Sequence, residues 1–208
     1  MFRGEQLLTR ITHLGHQLSP EVMWVRPYLS SSLSSSLSSS TTEMSHSART
    51  PPPSEVTEVH DLSGVRGAVS GVVAALKRSS REWTWVFACD LPLLRVSDLT
   101  QLITRAQTAT PTTRCVVYLD PLTDQLQPLC ALWRASGAQA LLEEITQQGI
   151  GLCKYARRYG EIVVFDDTFT LHLGESSLSP DVSAFFNVNE PSALETLARL
   201  EQSEGALR

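Results

Sequence analysis

Two aspartates stand where carboxylate chemistry could take place, and Asp90 is the first. It follows an unbroken apolar run, residues 85–89, and precedes Leu91 and Pro92. A run that is apolar at both odd and even positions predicts a central strand buried on both faces, which is typical of a parallel sheet. Pro92 predicts that the strand ends there. Open α/β sheets bind ligands at the carboxyl ends of such strands, so Asp90 either binds a ligand or caps the next loop.

Asp61 is the second candidate, because it stands just ahead of a loop that contains Gly64 and Gly67. A glycine-rich loop that leads into a helix N-terminus can bind an anion through its backbone amides. The same glycines could instead serve only a tight turn and close helix packing. The chain has no G-x-x-x-x-G-K-[ST] and no G-x-G-x-x-G, so neither the P-loop nor the Rossmann fingerprint applies.

Two further groups of side chains carry weaker signals. His13 and His16 are three residues apart on a predicted helix, but no third metal ligand is evident, so we expect them to face solvent. Tyr155, Arg157 and Arg158 could hold a substrate phosphate, since arginine suits bidentate contacts with phosphate. Such a cluster could equally form a solvated face.

Alternating strands and helices must position these residues. The apolar patterns predict strands near 21–25, 55–60, 85–89, 115–119, 127–133 and 161–165, and helices over 5–18, 68–77, from Ser97, from Ser136 to Gly149 and after Pro191. Ser97 is the expected cap of its helix. This alternation predicts an α/β fold with three layers and a mostly parallel sheet.

Length and composition bound the rest. A chain of 208 residues fits one domain over 1–208, and the Ser- and Pro-rich stretch at about 29–54 predicts a disordered insert within it. A net charge of −5 gives no sign of nucleic-acid binding, and no apolar run is long enough to span a membrane. The N-terminus lacks a signal peptide, so we expect a cytoplasmic protein. The 4 cysteines lack zinc spacing and are expected to be reduced and mostly buried.

Four blocks of the chain follow the order of one family. They are Asp61 with G-A-V-S-G at 67–71, A-C-D-L-P-L-L at 88–94, Q-P-L-C-A-L-W at 127–133 and F-N-V-N-E-P at 186–191. Together they resemble the molybdenum cofactor guanylyltransferases, which typically show an Asp, G-P-L-A-G, C-D-M-P-F-L, P-L-x-A-L-[WY] and F-x-N-[IV]-N-T-P. The resemblance covers 4–25 weakly and 59–200 well. It implies the nucleotidyltransferase, Rossmann-like fold.

The resemblance also implies roles for particular residues. Asp90 matches an aspartate that binds Mg²⁺ and contacts GTP, while Asp61 and Gly67 match nucleotide contacts. Asn187 and Asn189 match a motif close to the cofactor-binding side. The implied reaction transfers GMP from GTP to molybdopterin, forms molybdopterin guanine dinucleotide and releases pyrophosphate. GTP and molybdopterin are therefore the implied substrates, with molybdenum-insertion proteins and molybdoenzymes as further partners.

The chain also departs from this family. The family begins with a strand, a glycine-rich L-x-G-G-x-S-x-R-M-G loop and a lysine, all ahead of the segment that matches residues 4–8. We therefore expect an N-terminally incomplete fold in which the neighbours of that strand are unpaired or forced together. A truncated or decayed, non-catalytic relative that binds molybdopterin or a partner is one alternative. A cytidylyl- or sugar-nucleotidyltransferase of the same fold is another.

Overall fold

The computed structural model describes residues 7–27, 55–166, 184–189 and 192–197. The elements, in chain order, are α1 (Leu7–Leu18), β1 (Val22–Arg26), β2 (Val56–His60), α2 (Ala68–Arg78), β3 (Trp83–Phe87), α3 (Thr100–Thr108), β4 (Cys115–Asp120), β5 (Gln125–Arg134), α4 (Ala138–Gln148), α5 (Leu152–Tyr159) and β6 (Gly160–Val164). Residues 192–197 are also helical. The predicted insert at 29–54 lies outside the described residues, so its disorder, and the single-domain organisation, stay predictions.

The strands form two sheets. β1 and β2 pair in parallel, from Val22 opposite Val56 to Arg26 opposite His60. The second sheet has the order β3-β5-β4-β6, in which β6 is parallel to β4. β5 runs antiparallel to both of its neighbours. Parallel pairs are thus present in both sheets, and the predicted α/β class is confirmed.

The strand that leads to Asp90 differs from the sequence prediction. β3 ends at Phe87, although the Ala88 N–H still donates to the carbonyl oxygen of Leu129 at 2.8 Å. Its partner is the antiparallel β5, and its other edge pairs with no strand in the described part of the chain. Most of its residues are only half-buried. The prediction of a strand buried between parallel neighbours is therefore wrong for β3, because the side toward β1 is open.

Helices cover both faces of the four-stranded sheet. Cys115 and Val117 of β4 pack in one core with residues of α2, α4 and α5. Val116 and Tyr118 of the same strand pack in a second core with residues of α1 and α3. This alternation follows the period of two of a strand, and all four side chains are 0% exposed. The predicted three-layer arrangement is confirmed by these two cores.

Helix α5 was not predicted from the sequence. Its buried residues Leu152, Tyr155 and Ala156 lie three or four positions apart, which is helical spacing. Lys154, Arg157 and Arg158 stand between and after them, and the helix has only 8 residues, so the apolar stripe is short. In so short a segment the charged residues obscure the apolar stripe, so the helix could not be predicted from the sequence pattern.

The cysteines only partly match expectation. All four are free, and Cys115 and Cys130 are buried, whereas Cys89 and Cys153 are exposed. Burial raises the pKa of Cys115 to about 12, so its thiol stays neutral in the core. None of the described helices is long and apolar enough to cross a membrane.

Candidate functional site

Asp90 lies in a turn that buried side chains and hydrogen bonds hold in place. The neighbouring Leu91 and Leu94 are buried in the core that contains α1 and α3. Arg10 of α1 donates from Nε to the carbonyl oxygen of Pro92 at 2.5 Å and from Nη2 to that of Leu94 at 3.4 Å. Side-chain burial and these two hydrogen bonds together fix the backbone on which the carboxylate stands.

One carboxylate oxygen of Asp90 has an unusual environment. Oδ1 is buried, and none of the described residues gives it a hydrogen bond. A buried acceptor without a partner costs about 1–3 kcal/mol, and a charged one costs more. Mg²⁺ is commonly held by one or two carboxylates together with phosphate oxygens and water. A single carboxylate with an unpartnered oxygen fits such a metal, which takes its other ligands from substrate and water. The described residues contain no cluster of three or more His, Cys, Asp or Glu side chains.

The backbone of Asp90 also connects the turn to the segment 184–189. The Val188 N–H donates to the carbonyl oxygen of Asp90 at 3.1 Å. Phe185, which lies in a turn, is buried in the same core as Leu91. Asn187 and Asn189 flank Val188, and both are exposed. The structure thus brings these two predicted site residues beside Asp90.

Asp61 follows β2 and lies against α2. Its N–H donates to the carbonyl oxygen of Arg26 at 2.9 Å, which extends the β1–β2 ladder by one residue. A Cβ added at Gly71 would stand 3.0 Å from Oδ1 of Asp61, so glycine allows this close approach. Burial raises the pKa of Asp61, and the charge of His60 offsets part of that effect.

Gly67 is the N-cap residue of α2. This residue has a φ of 79°, a left-handed conformation that favours glycine, and no side chain caps the helix. The first turn contains no acidic residue. Ser70 donates from Oγ to the carbonyl oxygen of Leu62 at 3.2 Å, which holds the preceding loop against the helix. An uncapped helix N-terminus of this kind is suited to an anion.

Contacts near the C-terminus of α2 place the starts of β1 and β3 side by side. Ser80 donates from Oγ to the Glu21 carboxylate at 2.8 Å, one residue before β1. Thr84, the second residue of β3, donates from Oγ1 to Ser79 Oγ, also at 2.8 Å. Both strands therefore begin at the same end of α2.

The other ends of these strands lie toward the N-terminal half of α2. Val25, near the end of β1, has Cγ1 only 3.1 Å from the Cβ position at Gly71. β1 thus runs opposite to α2. β3 starts at the same end of the helix, and its Val86 packs against the core that contains α2 residues, so we infer that β3 runs back along the helix in the direction of β1. Asp61, Gly67 and Asp90 consequently share the carboxyl edge of the strands, which is the edge predicted to bind ligands.

The weaker candidates belong elsewhere. Tyr155 is 1% exposed and packs in a core, with ring contacts to other aromatic residues. Arg158 pairs with Glu144 at 3.4 Å, and Tyr159 donates to the same carboxylate at 2.6 Å. These contacts favour a structural role for the α5 cluster. His13 is exposed on α1, as expected, whereas His16 is half-buried.

Two positioning residues were missed by sequence reasoning. Asp98, rather than Ser97, caps the turn before α3, because its carboxylate accepts from the Arg95 N–H at 2.8 Å. Its position three residues after Arg95 is a signal that could have been found. The contact between Arg10 and Pro92 joins residues 82 positions apart, so no local pattern indicates it.

Comparisons with known proteins agree with this fold. The model of the MobA-like NTP transferase domain matches residues 1–162. A probable molybdenum cofactor guanylyltransferase of Clostridium perfringens is 23% identical over 155 residues, which are 72% of this chain and 73% of that protein.

Two solved structures resemble the chain. Molybdopterin-guanine dinucleotide biosynthesis protein A from Archaeoglobus fulgidus has a TM-score of 0.52 at 23% identity, over 72% of this chain and 70% of that one. The 2-C-methyl-D-erythritol 4-phosphate cytidylyltransferase from Thermus thermophilus has a TM-score of 0.59 at 12% identity, over 97% and 91%. At these identities the likeness establishes the Rossmann-like nucleotidyltransferase fold and nothing finer.

Proposed function

Because the chain belongs to the MobA-like NTP transferase family, we propose that it transfers GMP from GTP to molybdopterin and releases pyrophosphate. The observation that carries the proposal is the buried, unpartnered Oδ1 of Asp90, which lies on the same edge as Asp61 and the start of α2. The relative from Clostridium perfringens, named as a probable molybdenum cofactor guanylyltransferase, supports this choice of nucleotide and acceptor.

On this proposal Asp90 would hold Mg²⁺, because its Oδ1 is buried and has no hydrogen-bond partner among the described residues. When bound, Mg²⁺ neutralises phosphate charge and helps to hold two anionic reactants in line. The molybdopterin phosphate oxygen bonds to the α-phosphorus of GTP while the bond from that phosphorus to pyrophosphate breaks. Arg10 acts indirectly, because its hydrogen bonds to the carbonyl oxygens of Pro92 and Leu94 position the turn.

Different residues near Asp90 bind the two substrates in this proposal. Gly67 and the first amides of α2 bind nucleotide phosphate, and Asp61 accepts a hydrogen bond from the nucleotide. Asn187 and Asn189 flank the residue that bonds the Asp90 carbonyl oxygen, and in this proposal their amide groups donate to the molybdopterin phosphate. The product would pass to molybdenum-insertion proteins and molybdoenzymes, and we propose that the reaction takes place in the cytoplasm.

A second candidate is a non-catalytic relative that binds molybdopterin or a partner protein. The edge of β3 that pairs with no strand in the described part of the chain favours it, because the strand that leads to Asp90 then has a strand ladder on one side only. A measurement of GMP transfer distinguishes the two candidates, because only the first predicts it.

The experiment supplies the full chain with GTP, Mg²⁺ and molybdopterin, and measures pyrophosphate release and dinucleotide formation. We expect GMP transfer that falls by about 10²–10³ in Asp90→Ala, the range for loss of one transition-state contact. Glu143→Gln, an exposed carboxylate on α4, is the matched control and should transfer GMP at the original rate. Molybdopterin binding without GMP transfer would support the second candidate. Faster transfer from CTP would instead indicate a cytidylyltransferase.

A further inference from the structure

A cavity lies between α1 and the turn that follows Asp90. Its volume is about 410 Å³, which is within the range of roughly 300–1,000 Å³ that pockets for small molecules usually have. Its described walls come from two stretches of the chain, residues 10–17 of α1 and residues 91–97. Asp61, Gly67 and Asp90 are not among the described residues that line it, so the cavity is distinct from the site described above.

Part of the wall of this cavity is apolar. Leu14, Leu91 and Leu94 line it, and each is at most 7% exposed in the core that α1 and α3 share. The half-buried Ile11 and Val96 line it as well. Apolar walls favour the carbon skeleton of an organic molecule over a hydrated inorganic ion.

The polar residues that line the cavity can all donate hydrogen bonds. They are Arg10, His13, Gln17, Arg95 and Ser97. Arg10, His13 and Gln17 are three or four positions apart, so they share one face of α1. The two guanidinium groups are positively charged, and an imidazole donates through one ring nitrogen when neutral and through both when charged.

None of the described residues that line the cavity is acidic. Asp90 and Asp98 adjoin residues 91–97 in the sequence, but neither belongs to the lining. Asp98 is 5% exposed, and its carboxylate accepts the backbone N–H of Arg95 at 2.8 Å and Oγ of Ser97 at 3.4 Å. It therefore orders the backbone that carries two of the donors. The described lining itself is positively charged, which favours an anionic ligand.

We propose that this cavity binds a small organic phosphate monoester. Such a group carries a charge of about −1.5 to −2 at neutral pH, which matches two arginines, and its oxygens are strong hydrogen-bond acceptors. A carboxylate offers a single charge and only two oxygens. The phosphate would lie against Arg10 and Arg95, and the carbon skeleton would lie against the buried leucines.

A ligand in this cavity would also stabilise the turn that carries Asp90. Arg10 donates to the carbonyl oxygens of Pro92 and Leu94, and Arg10 and Leu94 both line the cavity. A ligand that binds only the ordered turn stabilises it against local opening. Binding should therefore raise the affinity for Mg²⁺ and GTP at Asp90, and by linkage these should raise the affinity for the ligand. This consequence rests on the proposed function, whereas binding in the cavity does not.

Phenyl phosphate is the probe, because its phosphate and its ring match the two kinds of wall. Isothermal titration into the full chain without Mg²⁺ should show one molecule bound per chain, with a Kd of about 1 mM or tighter. Amide hydrogen exchange should become slower in residues 91–97. Benzoate, which offers a ring and a carboxylate, should bind at least about tenfold more weakly. No binding of phenyl phosphate below about 10 mM, equal binding of benzoate, or protection confined to the start of α2 would overturn the proposal.

Two variants locate the binding site of the probe. Arg95→Gln removes a charge from the cavity and should weaken phenyl phosphate binding by about tenfold or more. Arg78→Gln, at another exposed arginine but at the end of α2, is the matched control and should bind as the original chain does. Asp98 bonds the backbone of Arg95, which the substitution keeps, and urea unfolding checks that Arg95→Gln is folded. Undiminished binding by Arg95→Gln, or equal weakening in both variants, would refute this cavity as the site. None of these measurements uses GTP, so the result is independent of the transferase assay.

Discussion

Replacing Asp90 by asparagine distinguishes two interpretations of its carboxylate, as a group that binds a ligand or as a cap of the next loop. In the described chain, the buried Oδ1 receives no hydrogen bond, so its negative charge is an energetic cost to the folded protein. A carboxylate that capped the loop would instead stabilise it. Asp90→Asn keeps the shape of the side chain and removes the charge, so the two interpretations predict opposite changes in the free energy of unfolding.

The expected gain is modest. An unsatisfied buried acceptor costs about 1–3 kcal/mol, more when charged, and the neutral amide retains part of that cost. Asp90 as a whole is only half-buried, which places the gain near the lower limit. We therefore expect Asp90→Asn to raise the free energy of unfolding by about 1 kcal/mol and the Tm by about 2–4 °C without added metal.

Urea and thermal unfolding of the full chain measure this change, with Glu143→Gln as a control that should stay within about 0.5 kcal/mol of the original. Added Mg²⁺ should reverse the order. At tenfold excess over its Kd, Mg²⁺ stabilises a protein that binds it by about 1.4 kcal/mol, and Asp90→Asn should not respond. A loss of about 1 kcal/mol or more in Asp90→Asn, with no Mg²⁺ effect on either protein, would refute the reasoning and favour the loop cap.

Other predictions concern the packing around the site. Gly160→Ala should destabilise the fold by about 1–3 kcal/mol in urea unfolding, because the added Cβ would lie 2.6 Å from the carbonyl oxygen of Ala156 and from Sγ of Cys115. Gly151→Ala is the control: its added Cβ meets open space, so its free energy of unfolding should be nearly unchanged. Arg134→Ala should lower the free energy of unfolding by about 2–3 kcal/mol, because the buried guanidinium donates to two carbonyl oxygens at 2.8 and 3.1 Å and lies 4.3 Å from the ring of Trp83. An unchanged midpoint of urea unfolding would contradict this. Burial raises the pKa of Tyr155 from 10.0 to about 12, so its contribution is fully present below pH 10 and is lost toward pH 12. Tyr155→Phe should therefore flatten the fall of unfolding free energy between these pH values by up to about 1.4 kcal/mol per pH unit, and equal slopes would exclude that cause.

Much of the fold could be predicted from the sequence, because its signals are local. The strand periodicity of β4 and the helical stripes of α2 and α4 give the elements and their buried faces. Gly149, with a φ of 63°, ends α4 as expected. The candidate site could also be predicted in outline, because Asp61 and Asp90 both follow strands that end at one edge.

The neighbours of β3 could not be predicted in the same way. Residues 85–89 have the composition of a strand buried on both faces, and composition does not say whether the strand beside it is present. The side chains of Trp83 and Trp85 instead line a cavity of about 1180 Å³ that residues of β1 also line. The hydrogen bond from Arg10 to Pro92, in the turn after Asp90, could not be predicted from the sequence either, because it depends on how α1 packs and not on residue spacing.

Isothermal titration of GTP into the full chain, with Mg²⁺ and with EDTA, tests the central claim most directly. If Asp90 and the N-terminus of α2 form a metal-nucleotide site, GTP binds with Mg²⁺, and Asp90→Asn weakens that binding by about tenfold or more, equivalent to about 1.4 kcal/mol. Equal GTP binding in EDTA, or equal binding to Asp90→Asn, would contradict the account.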